Sequence, residues 1–213
     1  YKDCYHLSYG MVFLPEGKMK SREGRVVDAD DLISEITELS KKEILKRGKD
    51  LSKNELKLRS EKIALSAIKF FLLKIDPNKD IYFDPKQSVS FEGETGPYIQ
   101  YTYARANSIL RKAKNQSNKI NYSLIKEEEE IELIKLLSKF PEIVLESSNL
   151  YRPSLICRYL LDLSQKFNEF YQKYPVLKAN KELALARLSL VKSTKQVIKN
   201  GLSLLNIEVL EKM

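Results

Sequence analysis

Apolar side chains recur every three or four residues along most of the chain, which is the spacing of one face of an α-helix. The first such stripe follows Asp28 and Asp30 and ends near Arg47. An aspartate just before an apolar stripe is a typical N-cap, so the pattern predicts a helix that begins at one of these two residues. The inward face of this helix is predicted to carry Leu32, Ile33, Ile36 and Leu39.

A second helix is predicted from Ser52 to near Lys74. Ser52 with Glu55 three residues later forms a capping box, the arrangement in which each residue satisfies a backbone N–H of the other. The apolar stripe of this helix is Leu56, Ile63, Ala67, Phe70 and Phe71.

Residues 75–97 hold three of the seven prolines and are predicted to be a linker or domain boundary. Four further helices are predicted beyond it: Pro97–Lys114, Ser123–Leu145, Pro153–Tyr174 and Asn180–Leu205. The second of these is expected to break at Pro141, because proline removes a helical hydrogen bond. The acidic run Glu127–Glu130 is interpreted as a solvated first turn.

The N-terminal part has a different pattern. Aromatic and β-branched residues from Tyr5 to Leu14 predict a strand that ends at Pro15. A loop with the sequence GKMKSREG follows from Gly17. The predicted fold class is therefore mainly α, a helical bundle preceded by a short α/β remnant.

Composition excludes several functional classes. Seven glycines and seven prolines are too few for an all-β fold of 213 residues. No apolar run approaches the ~20 residues of a membrane span, and two distant cysteines, Cys4 and Cys157, form no disulfide framework or metal pair. His6 is the single histidine, which argues against a Ser–His or Cys–His catalytic pair elsewhere. The formal net charge of +8 favours an acidic partner, be it RNA, DNA or an anionic membrane.

The helix predicted from Pro97 has two different faces. Its core stripe is Ile99, Tyr103, Ala106, Leu110 and Ala113. The opposite face carries Tyr98, Tyr101, Arg105, Ser108 and Lys112. Exposed tyrosines beside cations favour single-stranded nucleic acid, whose bases stack on rings while its phosphates meet the cations. The alternative is that these tyrosines pack against a neighbouring helix with their hydroxyls at the rim.

The last two predicted helices favour the RNA interpretation. Tyr171 lies at the edge of the first helix's core stripe and Tyr174 near its end. In the second, Leu183, Leu190, Val197 and Leu204 are predicted to face inward, and Lys192, Lys195 and Lys199 outward. Between residues 147 and 213 there are eleven basic and five acidic residues. The sequence therefore predicts an RNA-binding face, without sequence specificity.

The loop GKMKSREG permits two interpretations. Lysines and arginines flanked by Gly17 and Gly24 suit a developing phosphate charge. The same residues would also suit a basic turn on the protein surface. The loop is not a Walker loop, because the motif GxxxxGK[ST] is absent.

Taken in order, these segments resemble the class I arginyl-tRNA synthetases. YGMVFLPEGKMKSREGRVVDADDLISE resembles their signature-loop region, with GKMKSREG in place of the KMSKS-type motif. SFEGETGPYIQYTYARANSILRKA resembles the start of their DALR-type anticodon-binding bundle, and ELALARLSLVKSTKQVIKNGLSLLNIEVLEKM their C-terminal helix. The resemblance implies three domains: the end of a catalytic domain (1–27), a helical connecting region that contacts the tRNA stem (28–90), and an anticodon-binding bundle (91–213).

The resemblance also implies roles for individual residues. Lys18 would neutralise the ATP phosphates within an ATP loop formed by Gly17, Lys18, Met19, Lys20, Ser21 and Arg22. Ser21 stands where the family motif has its second lysine, a departure for which Lys20 or Arg22 would compensate. Tyr101, Arg105, Tyr171 and Met213 match positions that meet the anticodon region. With the cationic and aromatic residues of the helix patterns, the predicted tRNA-binding set is Tyr98, Tyr101, Arg105, Lys112, Tyr171, Tyr174, Lys192, Lys195, Lys199 and Met213.

The family joins arginine to tRNA-Arg through an arginyl-adenylate, with ATP and Mg²⁺, in the cytoplasm. The family's HIGH motif is absent from these 213 residues, so we expect the catalytic domain to continue upstream. We expect this part alone to bind tRNA, to catalyse nothing, to need no cofactor or metal, and to contact no membrane.

Two alternatives stay open. Another class I synthetase, such as the cysteinyl enzyme, would carry zinc-type cysteines. A free-standing helical RNA-binding or scaffold module would pair its first strand within this chain.

Overall fold

The structure is a computed structural model that describes residues 4–14, 28–47, 51–113 and 120–213, together with the backbone of residues 17–18. Its elements in chain order are β1 (Val12–Leu14), β2 (Gly17–Lys18), α1 (Ala29–Lys46), α2 (Lys53–Leu73), β3 (Ile81–Tyr82), α3 (Pro85–Ser88), α4 (Gly96–Lys112), α5 (Glu128–Leu150), α6 (Pro153–Lys173) and α7 (Lys181–Leu204). A 3₁₀ turn at Tyr122–Leu124 precedes α5. The predicted mainly-α fold is confirmed.

The first two helices begin where their capping residues predict. The Asp28 carboxylate accepts a hydrogen bond from the backbone N–H of Asp30 at 2.9 Å. The Ser52 hydroxyl accepts one from the N–H of Glu55 at 3.2 Å. These bonds satisfy backbone donors that have no partner within the helix, so local sequence sets both starts.

A small sheet lies at the N-terminal end, with β1 in the centre. β1 is antiparallel to β2 and parallel to β3. The predicted strand from Tyr5 was too long, because β1 begins at Val12 and residues 8–11 bond mainly to the turn before β3. The Met11 carbonyl already accepts from the Ile81 N–H of β3 at 2.8 Å. The Ser8 hydroxyl donates to Asn78 Oδ1 at 2.5 Å, and the Met11 N–H donates to Asp80 Oδ1 at 2.8 Å.

The segment predicted as a linker is partly built into the fold. It contains β3 and α3, and its side chains Phe83, Val89 and Phe91 are buried. Phe83 and Val89 share a hydrophobic cluster with Ile36 of α1 and Ala67 of α2. Of its prolines, Pro77 lies in a turn, Pro85 begins α3 and Pro97 lies in the first turn of α4.

Helix α5 differs from its prediction in two ways. It begins at Glu128 and continues through Pro141 to Leu150, so the predicted break was wrong. Pro141 is exposed, and a missing hydrogen bond on the solvent side of a helix is less costly than one in the core.

The acidic run that precedes α5 is not wholly solvated, because Glu130 is fully buried. Its Oε1 accepts from Arg187 Nε at 2.6 Å, and its Oε2 accepts from the N–H groups of Lys126 and Glu127, each at 3.1 Å. Arg187 also donates to the Pro175 carbonyl at 2.8 Å. This buried ion pair joins the start of α5 to α7, and the interpretation of Glu130 as a solvated residue was wrong.

The main core lies between α4, α5, α6 and α7, around Tyr103, Leu160, Phe167 and Phe170. Of the predicted inward residues of α7, Leu190 is buried and Leu204 is 54% exposed. The prediction for Leu204 was wrong because the helix ends there, at the turn into the last nine residues. A smaller group, which we call the tail cluster, contains buried Ile44, Ile63, Phe91 and Leu210 with partly buried Leu51, Leu56, Tyr101 and Met213 against them.

Candidate nucleic-acid interface

Helix α4 positions the predicted site. Its N-cap is Thr95, whose hydroxyl accepts from the Tyr98 N–H at 3.1 Å. Gly96 lies so close to α2 that a Cβ there would be 2.5 Å from the Ser66 carbonyl oxygen. This close approach fixes α4 against α2, with Ile99, Tyr103 and Ala106 buried as predicted.

Arg105 of α4 lies between two tyrosine rings. Its guanidinium carbon is 4.7 Å from the ring centroid of Tyr101 and 5.6 Å from that of Tyr171 on α6. Arg105 Nη2 also donates to the Tyr101 hydroxyl at 3.1 Å. Tyr101 and Arg105 are half-buried, and Tyr171 is 40% exposed. A guanidinium stacked on aromatic faces is held in one plane and stays charged at every physiological pH.

Around this group opens a cleft of about 660 Å³, which we call the tyrosine–arginine cleft. Five cationic residues and two acidic ones line it: Arg59, Arg105, Arg111, Lys112 and Lys212, with Glu55 and Glu211. Arg59 pairs with Glu55 one turn earlier in α2. The cations exceed the carboxylates, so the cleft attracts an anion.

The last nine residues run back across α4 and border the cleft. Gln100 Nε2 donates to the Glu208 carbonyl at 2.7 Å, and Asn107 Nδ2 donates to the Glu211 carbonyl at 3.0 Å. The Tyr103 hydroxyl donates to Glu211 Oε1 at 2.9 Å. Burial, with the Glu211 hydrogen bond, raises the pKa of Tyr103 well above its usual value, so this donor keeps its proton. The tail thereby places Met213, half-buried, between the tail cluster and the cleft.

The structure brings together part of the predicted tRNA-binding set. Tyr101, Arg105, Lys112, Tyr171 and Met213 line one cleft. These residues come from three separate parts of the chain, so their meeting is a property of the fold.

The other predicted residues lie outside that cleft. Tyr98 accepts from Asn168 Nδ2 at 3.0 Å, and Lys195 donates to Asn107 Oδ1 at 2.7 Å beneath the tail. Lys192 and Lys199 are exposed on α7. RNA contacts by these residues stay a prediction.

Tyr174 also lies outside the cleft. Its hydroxyl donates to Glu129 of α5 at 2.7 Å. Lys173 donates to the other oxygen of the same carboxylate at 2.6 Å. Hydrogen bonds from Lys173 and then Tyr174 lower the pKa of Glu129 to about 2. In this structure Tyr174 joins α6 to α5, and an RNA contact there stays a prediction.

The predicted ATP loop is largely outside the described residues. The backbone of Gly17 and Lys18 pairs with Leu14 and Phe13 of β1. Met19, Lys20, Ser21 and Arg22 lie outside the described residues, as does the side chain of Lys18.

Sequence patterns missed several residues of the cleft. Arg59 belongs to α2, Arg111 precedes the predicted Lys112, and Lys212 precedes Met213. The basic surplus of α4 could have indicated Arg111. Arg59 could not have been found, because nothing in its own helix shows that α2 faces α4.

The cysteines and the acidic groups suggest no further chemistry. Burial raises the pKa of the Cys157 thiol to about 12, so it is a poor nucleophile, and Cys4 is exposed. Among the described residues, no three His, Cys, Asp or Glu side chains converge as a metal site would require. Within those same ranges, no helix is long and apolar enough to cross a bilayer.

Comparison with known proteins identifies the family. Residues 99–213 match the DALR anticodon binding domain, and residues 1–84 match the catalytic domain of class I tRNA synthetases (R). The arginine–tRNA ligase of Treponema denticola is 46% identical over 99% of this chain, which covers 37% of that protein.

Two solved structures agree with these matches. The arginyl-tRNA synthetase of Thermus thermophilus superposes with a TM-score of 0.92 at 34% identity, over 100% of this chain and 36% of that one. The arginyl-tRNA synthetase of Plasmodium falciparum superposes with a TM-score of 0.80 at 30% identity, over 96% of this chain and 34% of that one. The chain therefore spans little more than a third of the length of these relatives. It belongs to the DALR anticodon-binding family and matches the C-terminal part of arginine–tRNA ligases.

Proposed function

We propose that this chain is the tRNA-binding part of an arginine–tRNA ligase and that the tyrosine–arginine cleft holds unpaired nucleotides of the anticodon loop of tRNA-Arg. The observation that carries the proposal is the Arg105 guanidinium between the rings of Tyr101 and Tyr171, in a cleft where cations predominate. The whole enzyme attaches arginine to tRNA through an ATP-dependent arginyl-adenylate.

The geometry suits single-stranded RNA better than a helical stem. Base planes stack on tyrosine rings and on guanidinium planes, and each such stack is worth about 1–3 kcal/mol. A cleft of about 660 Å³ has room for bases turned out of a loop, whereas a helical stem is far larger. Arg111, Lys112 and Lys212 surround the rings and can meet the adjoining phosphates.

The ATP-loop role belongs to the same proposal. We infer that Lys18 neutralises ATP phosphates within the loop Gly17–Arg22, in a protein whose catalytic domain continues upstream. ATP would supply the adenylate, and Mg²⁺ is expected with it. In a protein that carries the complete catalytic domain, Lys18→Ala should lose ATP–pyrophosphate exchange. Unchanged exchange would reject the role.

The domain division and the cellular location are parts of the proposal as well. We propose that residues 28–90 connect the two functional regions and contact tRNA phosphates, with the catalytic remnant at 1–27 and the anticodon-binding bundle at 91–213. A translation enzyme of this kind works in the cytoplasm. Limited proteolysis that cut the chain first near residue 90 would support the second boundary, and first cuts within 91–213 would oppose it.

A binding experiment tests the main proposal. The 213-residue chain is titrated into labelled tRNA-Arg and into an unrelated tRNA, at two salt concentrations, with fluorescence anisotropy as the readout. We expect tighter binding to tRNA-Arg and weaker binding of both RNAs at the higher salt, because phosphate contacts release counterions. Equal affinities would reject the anticodon assignment, and salt-independent binding would reject the phosphate contacts.

The variant Tyr101→Ala tests the stacking. It should lose about 1–3 kcal/mol of binding free energy if a base stacks on this ring. Tyr101 also packs edge-on against Phe91, with centroids 6.5 Å apart. A urea titration of the same variant therefore accompanies the binding assay. A loss of that size in unfolding free energy, with unchanged RNA affinity, would show that Tyr101 is a core residue.

A second candidate, a free-standing RNA-binding module, is compatible with one observation. β1 pairs with β2 and β3 of this same chain, as that alternative predicted. The pairing does not separate the two candidates, because a synthetase that continues upstream can share this sheet. Equal binding to tRNA-Arg and to unrelated RNAs would favour the module.

A further inference from the structure

Asn168 of α6 is 9% exposed and directs both groups of its side chain toward α4. Its Oδ1 accepts from Arg105 Nη1 at 2.6 Å. Its Nδ2 donates to the Tyr98 hydroxyl at 3.0 Å and to Thr102 Oγ1 at 3.2 Å. Tyr98, Thr102 and Arg105 lie at intervals of four and three residues and therefore share one face of α4. A single amide side chain contacts all three.

The orientation of this amide follows from its partners. The Thr102 hydroxyl donates its proton to the Tyr98 carbonyl at 3.0 Å, so toward Asn168 it can only accept. The amide NH₂ must therefore face Thr102, and the amide oxygen must face Arg105. A guanidinium has no acceptor, which requires the same orientation.

This contact holds Arg105 without cancelling its charge. Among the described residues, no carboxylate lies within ion-pair distance of Arg105, whose hydrogen-bond partners are the Asn168 oxygen and the Tyr101 hydroxyl. The guanidinium has five N–H groups, so donors remain for a ligand. A neutral acceptor fixes its plane and leaves the positive charge for an anion.

We propose that Asn168 is a positioning residue for RNA binding: it fixes the Arg105 guanidinium between Tyr101 and Tyr171, in the plane that meets a phosphate and the adjoining base of a loop nucleotide. This inference rests on the proposed function. It extends the site to a residue that touches no RNA and that acts through Arg105.

A double-mutant cycle tests it. Asn168→Leu keeps the branched shape and removes both hydrogen-bonding groups. The affinity for tRNA-Arg is measured at low salt for the wild type, Asn168→Leu, Arg105→Ala and the double variant. We expect Asn168→Leu to weaken binding about tenfold alone and not at all when Arg105 is already alanine. Equal losses in both backgrounds would overturn the proposal, because they would show a structural role.

Ser164→Ala is the matched control. Ser164 is buried one turn earlier on α6, and its hydroxyl has no hydrogen-bond partner among the described residues, so its loss should leave RNA affinity unchanged. If Asn168→Leu fails to fold, Asn168→Ala carries the same cycle. Failure of the wild type to bind RNA would reject the proposed function, whereas additive losses in a wild type that binds would reject this inference alone.

Asn168→Asp gives an independent readout. The carboxylate keeps an oxygen toward Arg105 and cancels its charge. The slope of log affinity against log salt should fall by about 0.7, the value for one phosphate contact of a single strand. An unchanged slope with unchanged affinity would contradict the assignment.

Discussion

Arg105 and Arg187 both lie beside tyrosine rings, yet their hydrogen-bond partners differ. Arg187, 4% exposed, has its guanidinium 5.2 Å from the Tyr174 ring and is paired with the buried carboxylate of Glu130. Arg105 is half-buried and is held by the neutral amide of Asn168. Arg187 faces a carboxylate and joins α7 to α5, whereas Arg105 faces an amide, which leaves its charge uncancelled for the RNA that we propose it binds. The hydrogen-bond partner of the cation, more than the aromatic ring beside it, distinguishes the two arginines.

The largest effect should come from breaking the buried pair. Glu130→Gln leaves Arg187 without a counter-charge, which should cost about 3–5 kcal/mol of unfolding free energy. Urea denaturation followed by circular dichroism measures this loss. The RNA affinity of the folded fraction should be unchanged, since Glu130 does not line the cleft.

Glu132→Gln is the control on the same helix. Glu132 pairs with Lys166 at 2.7 Å, and its side chain is 41% exposed. A surface pair of this kind contributes about 0–1 kcal/mol. Equal losses for the two variants would contradict the distinction between a buried pair and a surface pair.

Removing the other arginine should show the reverse pattern. Arg105→Ala should lower the unfolding free energy by only about 1–3 kcal/mol, because the buried Asn168 oxygen loses its donor but no ion pair is lost. Its affinity for tRNA-Arg should fall by about 1–3 kcal/mol as the stacking platform is lost. Anisotropy titrations and urea denaturation of the same preparation measure both. A large loss of stability with unaltered RNA binding would show that Arg105, like Arg187, stabilises the fold and does not bind RNA.

The smallest effect concerns Glu129, which lies beside Glu130 on the solvent side. Its pKa falls from an ordinary value of 4.5 to about 2 in the fold, so its stabilisation is complete above pH 4.5 and is lost as the pH falls toward 2. The melting temperature of the wild type should exceed that of Glu129→Gln at pH 6, and the difference should vanish near pH 2. The loss at pH 6 should be smaller for Glu128→Gln, which removes the same charge one residue earlier but none of the hydrogen bonds from Lys173 and Tyr174.

Local signals predicted most of the helices and failed where a distant partner decides. Asp28 and Ser52 marked helix starts because a cap needs only its own first turn. The spacing of residues along α4 predicted that Tyr101 and Arg105 lie on the face opposite the core stripe, because helical periodicity is also a local property. The passage of α5 through Pro141 and the burial of Glu130 depend on solvent exposure and on α7, which the spacing of α5 does not contain.

The candidate site shows the same limit. Asn168 lies 63 residues from Arg105 in the chain, and an asparagine within an amphipathic helix gives no local sign of its partner. Arg59 of α2 reaches the cleft for the same kind of reason. Periodicity predicts which residues share a face, but only packing determines which faces meet.

Three of the contacts that hold the C-terminal tail reach its main chain. Lys69, Gln100 and Asn107 donate to the carbonyl oxygens of Asn206, Glu208 and Glu211. Every residue offers a backbone carbonyl, so these three contacts tolerate exchanges of side chains that leave the backbone shape of the tail unchanged. They do not tolerate a change in residue number: one inserted or deleted residue between Glu208 and Met213 would shift the methionine by about 3 Å and carry it away from its place beside Tyr101.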